Sequence, residues 1–273
     1  MKRKIRNFLQ IFTGKFKTVA DISYLYPNHK LDNKRIVVTG GGRGLGAAMA
    51  EKFVAEGARV VIAGRNESTL KKTAEKIGCE YLILDVNDVS SYDMFLNDVI
   101  NILGDVDVLV NNAGISLHER NFFDVTPETF DAQMNTNLRS SFFLSQKFIK
   151  YWIKEKMYGC VLFVSSETGE MADFRPYGFS KAAINSMVKG LAYLFAEYGI
   201  RVNAIAPGVT CSDMTGHSPN GNLYYPENML NRLYLPNEVA EIAAFLVSAA
   251  ADCISGQIIA CNNGRSINAR WKK

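Results

Sequence analysis

From residue 35 onward, short unbroken apolar runs alternate with stretches in which apolar residues recur every three or four positions. The runs RIVVT (35–39), RVVIA (59–63), YLILD (81–85), DVLVN (107–111), CVLFVS (160–165), RVNAIA (201–206) and QIIAC (257–261) are nearly continuous in hydrophobicity rather than alternating. That is the pattern of strands covered on both faces. Helical spacing fills the gaps, as in GAAMAEKFVAEG (46–57) and NEVAEIAAFLVSAA (237–250), the latter opening on a Pro236–Asn237 start signal. Strand, helix, strand in regular order implies right-handed crossovers, and so an α/β fold with a doubly wound parallel sheet of about seven strands. No repeat, linker or low-complexity segment interrupts it, and residues 31–273 read as a single domain.

Residues 1–30 break that rhythm and read as a basic N-terminal extension. Ile5, Phe8 or Leu9, Phe12 and Phe16 recur at helical spacing, among Lys2, Arg3, Lys4, Arg6, Lys15 and Lys17. The extension reads first as an arm packed on its own domain or a sister subunit, with peripheral contact to an anionic membrane as the alternative. Since the net charge is only +4, the remainder is close to neutral and carries no nucleic-acid stripe. No run of about 18 apolar residues would span a bilayer. The start also lacks the features of a signal peptide, so the expected location is the cytoplasm. Five widely spaced cysteines without a CxxC pair suit reduced thiols rather than disulfides. The isolated His29, His118 and His217 close no metal shell.

The first strand runs into Thr39-Gly40-Gly41-Gly42-Arg43-Gly44-Leu45-Gly46 and then a helix. Glycines there let the backbone turn sharply and approach a pyrophosphate, while the helix behind offers free N–H groups and the positive end of its dipole. The spacing fits GxxxGxG (Gly40, Gly44, Gly46) or GxGxxA (Gly42, Gly44, Ala47), and the strand–turn–helix context makes the sheet Rossmann-like. About 20 residues on, an NAD site would place a carboxylate on the ribose 2′-hydroxyl. Here stand Gly64 and Arg65. With Arg43 on the other side, two guanidinium forks would clasp a 2′-phosphate. The cofactor reading is therefore NADP(H), with NAD(H) the less favoured alternative. Asp85, followed by Val86, would meet the adenine amino group or cap the next helix.

Tyr177 and Lys181 stand four residues apart at the start of a long apolar helix, so they share a face. A phenol has a pKa near 10, and lowering it by about 3 units needs roughly 4 kcal/mol of preferential phenolate stabilisation. A fixed ammonium and an oxidised nicotinamide would supply that in a partly dry site.

At this point the chain resembles the short-chain dehydrogenase/reductase family, in its single-domain branch, over residues 31–265. The resemblance rests on TGGGRGLG (39–46), NNAG (111–114), Asn137 in NTNL, Ser165-Ser166, YGFSK (177–181) and APG (206–208). It implies an oxidoreductase that interconverts a carbonyl and a secondary alcohol by hydride transfer. Ser166 would hold the substrate oxygen, Tyr177 would be the general acid or base, and Lys181 would bind the nicotinamide ribose and lower the Tyr177 pKa. Asn137 would hold a water that passes the proton to solvent. Asn111, Asn112, Ala113 and Gly114 would line the cofactor and steady the sheet, while Pro207, Gly208 and Val209 would flank the nicotinamide. Ser165 rivals Ser166, but Ser166 precedes Gly169 by three residues, as in the family pattern. Two departures are visible. The span from Ser166 to Tyr177 is about two residues short of the family pattern, and Asn262-Asn263-Gly264 stands where Asp-Gly-Gly is common.

Residues 211–235 read as a weakly packed lid over the pocket. Glu167, Glu170, Arg175, His118 and Arg120 should open toward the same end of the sheet and suggest a polar carbonyl substrate; an acyl-chain keto reductase fits equally. Apolar residues on several faces of 126–151 and 177–198 suggest a homodimer or homotetramer. A nucleotide-sugar epimerase would need a substrate domain, for which the roughly 65 residues after Pro207 are too few. A non-catalytic NADP(H)-binding regulator or scaffold is the other rival.

Overall fold

The computed structural model describes residue 18, residues 28–212 and residues 214–267. Among these, seven strands form one parallel sheet: β1 (Arg35–Thr39), β2 (Arg59–Gly64), β3 (Glu80–Ile83), β4 (Val108–Asn111), β5 (Gly159–Val164), β6 (Ile200–Pro207) and β7 (Ile258–Cys261). Their order is β3-β2-β1-β4-β5-β6-β7. Successive strands are added leftward from β1 to β3 and then rightward from β4 to β7, and the crevice at that switch, beyond the C-terminal ends of β1 and β4, is where open sheets of this kind take ligands. Expected strand positions hold to within two residues. The third ends early because its partner does: Gly64 is the last residue of β2, and its carbonyl takes the final bond from the Leu84 amide at 2.8 Å.

Helices cover both faces. One layer holds α1 (Gly44–Ala55), α2 (Glu67–Ile77) and, at the far end of the chain, α7 (Pro236–Val247). The other holds α3 (Tyr92–Leu103), α5 (Ser140–Glu155) and α6 (Pro176–Phe195). The segment before α5 is α4 (Pro127–Met134), joined to it by a π-helical turn at Asn135–Arg139. Asn137 lies in that wider turn, a form of helix frequent at functional sites.

Most of the N-terminal extension lies outside the described residues. Thr18 is described: its amide donates to Asn222 Oδ1 at 3.2 Å and its carbonyl accepts from the Leu223 amide at 3.1 Å. Both partners belong to the segment expected to form the lid. That segment is better anchored than its composition suggested, because Cys211, Leu223 and Leu233 bury together as a small apolar cluster of their own. No helix among the described residues is long and apolar enough to cross a membrane.

Candidate functional site

The glycine turn joins β1 to α1. Gly40 and Gly44 hold φ of +64° and +56°, the left-handed region that glycine adopts without strain. Gly46 is needed for a different reason. A Cβ there would collide with the Gly40 carbonyl and lie 2.5 Å from the Asn112 amide nitrogen. Leu45 is half-buried between them, and Gly42 accepts a bond from the Thr73 hydroxyl at 2.7 Å. No side chain caps the first turn of α1, and this cradle suits a dinucleotide pyrophosphate at the helix dipole.

Asn112 braces the cradle from β4, its amide nitrogen donating to the carbonyls of Thr39 (2.8 Å) and Gly40 (3.1 Å). Thr39 completes the joint, its hydroxyl receiving the amides of Asn112 and Ala113 at 3.1 Å. Asn111 turns the other way, bonding Ser145 on α5 at 2.9 Å; it steadies the sheet rather than lining the crevice. Alternation along a strand sends neighbouring asparagines to opposite faces, and sequence alone did not say which faced the glycines.

Thr39 and Ala63 are in register at the ends of β1 and β2, so the solvent-exposed Arg43 and Arg65 leave the sheet on the same edge. Asp85 is also exposed, and its carboxylate accepts from the Asn87 amide at 2.9 Å. The following helical turn is capped instead by Asp88, which accepts from the Ser90 amide. Val86 is buried, and its carbonyl accepts from Tyr92.

The other half of the crevice gathers β5, α6 and the π turn. Ser165 and Ser166 follow β5, and the structure separates them. Ser165 is turned inward, donating to Asn185 Oδ1 at 2.6 Å, whereas the Ser166 hydroxyl lies beside Tyr177 and accepts from the Thr168 amide at 3.2 Å. One helical turn brings the Lys181 ammonium to 5.4 Å from the centroid of the Tyr177 ring. Lys181 is buried and donates to the Val164 carbonyl at 2.7 Å. Asn137 closes the group: its amide nitrogen donates to the Ile115 carbonyl (2.9 Å) and Ser180 (3.2 Å), and its oxygen accepts from the Ile115 amide (2.8 Å). Gly114 lies beside it, with the space for a Cβ 3.2 Å from the Asn137 oxygen. At the end of β6, Pro207 leads into Gly208, where a Cβ would meet the Tyr234 ring at 2.8 Å. Val209 accepts from the Tyr234 amide.

In the protein alone, without the positive charge of a nicotinamide, burial sets the electrostatics of this pair. Burial raises the Tyr177 pKa above its ordinary value; the Ser166 hydroxyl and the Arg175 charge oppose the rise. Burial also pushes Lys181 down to about 8. The reason is geometric: the ammonium sits over the ring and spends a proton on Val164, so desolvation outweighs its pull on the phenol oxygen.

The charged residues expected to mark a polar substrate are largely occupied. Arg175 pairs with Asp173 at 2.8 Å, and Glu167 is buried against Arg265. Glu170 accepts from Ser266 at 2.8 Å. His118 reaches the Met214 carbonyl at 2.9 Å; Arg120 is exposed. Spacing did not reveal the supporting roles of Thr39, Ser180 and Asn185, because each acts across 20 to 74 residues of chain.

The family model described as enoyl-(acyl carrier protein) reductase matches residues 40–266. A versicolorin reductase of Emericella nidulans is 33% identical over 263 residues, covering 87% of this chain and 97% of that protein. Among solved structures, a short chain dehydrogenase from Bacillus anthracis superposes with a TM-score of 0.80 at 28% identity, covering 89% of this chain and 100% of the other. A 3-ketoacyl-(acyl-carrier-protein) reductase from Brucella melitensis, complexed with NADH, gives a TM-score of 0.81 at 30% identity, with 87% of this chain and 100% of the other covered.

Proposed function

Since this chain belongs to the short-chain dehydrogenase/reductase family, we propose that it is an NADP(H)-dependent oxidoreductase interconverting a ketone and a secondary alcohol, with Tyr177 exchanging the proton. The observation that carries this reading is the convergence of Tyr177, Ser166 and buried Lys181 beside Asn137 at the C-terminal end of the sheet.

In the reducing direction the substrate oxygen accepts hydrogen bonds from Ser166 and Tyr177, and the phenol gives up its proton as charge develops on that oxygen. When bound, the nicotinamide supplies or accepts the hydride, and its oxidised ring adds positive charge. Lys181, one helical turn along from Tyr177, would favour the phenolate left behind and would bond a ribose hydroxyl of the cofactor. The Asn137 oxygen uses one lone pair on Ile115 and keeps a second for a water that returns the proton. The glycine turn and α1 would hold the pyrophosphate, Asp85 and Val86 the adenine edge, and Ala113, Gly114, Pro207, Gly208 and Val209 the nicotinamide half. Consumption of NADPH against a panel of ketones tests the assignment; tight cofactor binding with no turnover on any of them would favour a regulator instead.

Arg43 and Arg65, with no carboxylate at the end of β2, support NADP(H) over the NADH bound by the Brucella protein. Changing Arg65 to Asp should raise the NADPH KM at least about tenfold and lower that for NADH, since a carboxylate repels the phosphate and accepts from the ribose hydroxyls. An unchanged ratio of the two KM values would remove Arg65 from cofactor choice.

We further assign the outer faces of α5 and α6 to contact with a second copy of the chain. Phe142, Phe179 and Leu194 are 43%, 43% and 58% exposed on these adjacent helices, and an apolar face of this kind suits an isologous interface. Light scattering should give at least a dimer, and Phe142→Asp should shift it toward monomer. A wild-type monomer at micromolar concentration would end this assignment.

A further inference from the structure

Glu167 directly follows Ser166, yet its side chain is only 4% exposed. Its carboxylate is met by the Arg265 guanidinium and by the Asn262 amide nitrogen, the latter at 3.2 Å. Both come from the turn after β7, where the Asp-Gly-Gly expected from the family pattern is replaced by Asn262-Asn263-Gly264. Asn262 is fully buried and folds that turn on itself, accepting from the Gly264 amide at 3.0 Å. A second contact, from Ser266 to Glu170, fastens the same two segments three residues along. Arg265 also approaches Glu227 at 3.7 Å in the segment that bears Tyr225 and Tyr234. Nothing in the hydride or proton transfer described above uses this network.

A buried carboxylate one residue from the serine that holds the substrate oxygen works against the chemistry there. The reaction needs negative charge to form on the Tyr177 oxygen, and a fixed negative charge nearby opposes it. We propose that Arg265 is a positioning residue for the Ser166–Tyr177 pair: its guanidinium cancels the Glu167 carboxylate and moors the turn that starts at Ser166 to the C-terminal segment. The inference rests on the reading of Tyr177 as the proton-exchanging group.

The charges around Tyr177 are few enough to separate. Lys181 comes from its own helix, and Arg175, paired with Asp173 and near Glu119, from the approach to that helix. Glu167 acts from the turn after β5. Behind Glu167 stand Tyr225 and Tyr234, then Glu227 and Arg265. Among the described residues, the Glu167–Arg265 pair is the charge–charge link between this group and the C-terminal turn.

The test follows the Tyr177 phenol by NMR in protein labelled with carbon-13 tyrosine and saturated with whichever oxidised nicotinamide dinucleotide binds more tightly. Tyr177→Phe identifies the resonance. Arg265→Met, which strands the carboxylate, should move the titration midpoint up by about one pH unit, a tenfold fall in phenolate at fixed pH. Glu167→Gln, which leaves the cation, should move it down, and the double variant should return it close to wild type. General damage to the pocket would not produce opposite signs and mutual rescue. Glu167→Gln removes a buried charge rather than isolating one, so it carries the test alone if Arg265→Met does not fold. No movement in Glu167→Gln, or shifts of the same sign in both single variants, would overturn the proposal. The titration needs no turnover, so its outcome is distinct from a failure of the Tyr177 assignment, which activity of Tyr177→Phe would reveal.

Discussion

Replacing Tyr177 with phenylalanine should lower kcat by about a thousandfold, roughly 4 kcal/mol of transition-state stabilisation, within the range general acid–base groups supply. The NADPH dissociation constant should change by less than about twofold. The variant keeps the ring over which the Lys181 ammonium sits and removes only the hydroxyl, so the cofactor half of the crevice is left intact. Ser166 would still hold the substrate oxygen, and KM should change little beside kcat. The pH dependence has a definite sign. Because burial raises the folded Tyr177 pKa above the ordinary phenol value, the group is protonated at neutral pH and suited to give a proton to a ketone. Alcohol oxidation needs the deprotonated form, so its rate should climb with rising pH in the wild type, and that climb should vanish in Tyr177→Phe. Undiminished turnover in the variant would remove Tyr177 from the mechanism.

A single methyl group at Gly46 should be as damaging, by a route that never touches the chemistry. The added Cβ meets the backbone carbonyl of Gly40 and the Asn112 amide that holds the turn closed. Backbone cannot swing aside as a flexible side chain would, so the start of α1 must shift. Overpacking of this kind costs about 3 kcal/mol. The shift also misplaces the amides that would face the pyrophosphate, and NADPH affinity should weaken by about a hundredfold, read by fluorescence titration alongside thermal unfolding. Gly190→Ala is the contrast, since a Cβ there meets nothing within 4 Å on a helix; it should be neutral or stabilising by up to about 1 kcal/mol. Equal tolerance at both positions would mean that the turn is looser than its geometry implies.

The order of strands and helices needed only the chain itself. Buried parallel strands carry continuous apolar runs and covering helices carry a 3.6-residue period, and both are local properties. The Tyr177–Lys181 pair was legible for the same reason, since four residues of helix set its spacing whatever surrounds it. The charged residues near the pocket were read less well. Glu167, Glu170 and Arg175 suggested a polar substrate, yet their side chains meet Arg265, Ser266 and Asp173. Two of those partners lie about a hundred residues away, and a sequence does not reveal whether a charge faces solvent or another charge.

Composition and periodicity by themselves determined the α/β architecture, the glycine turn at the head of the first helix and the phenol–ammonium spacing. Tertiary structure alone decided that Asn112 rather than Asn111 braces the glycines, that Ser165 turns inward while Ser166 meets Tyr177, and that desolvation governs the phenol. Backbone spacing is set along the chain, whereas facing, burial and local dielectric arise only when distant segments pack together.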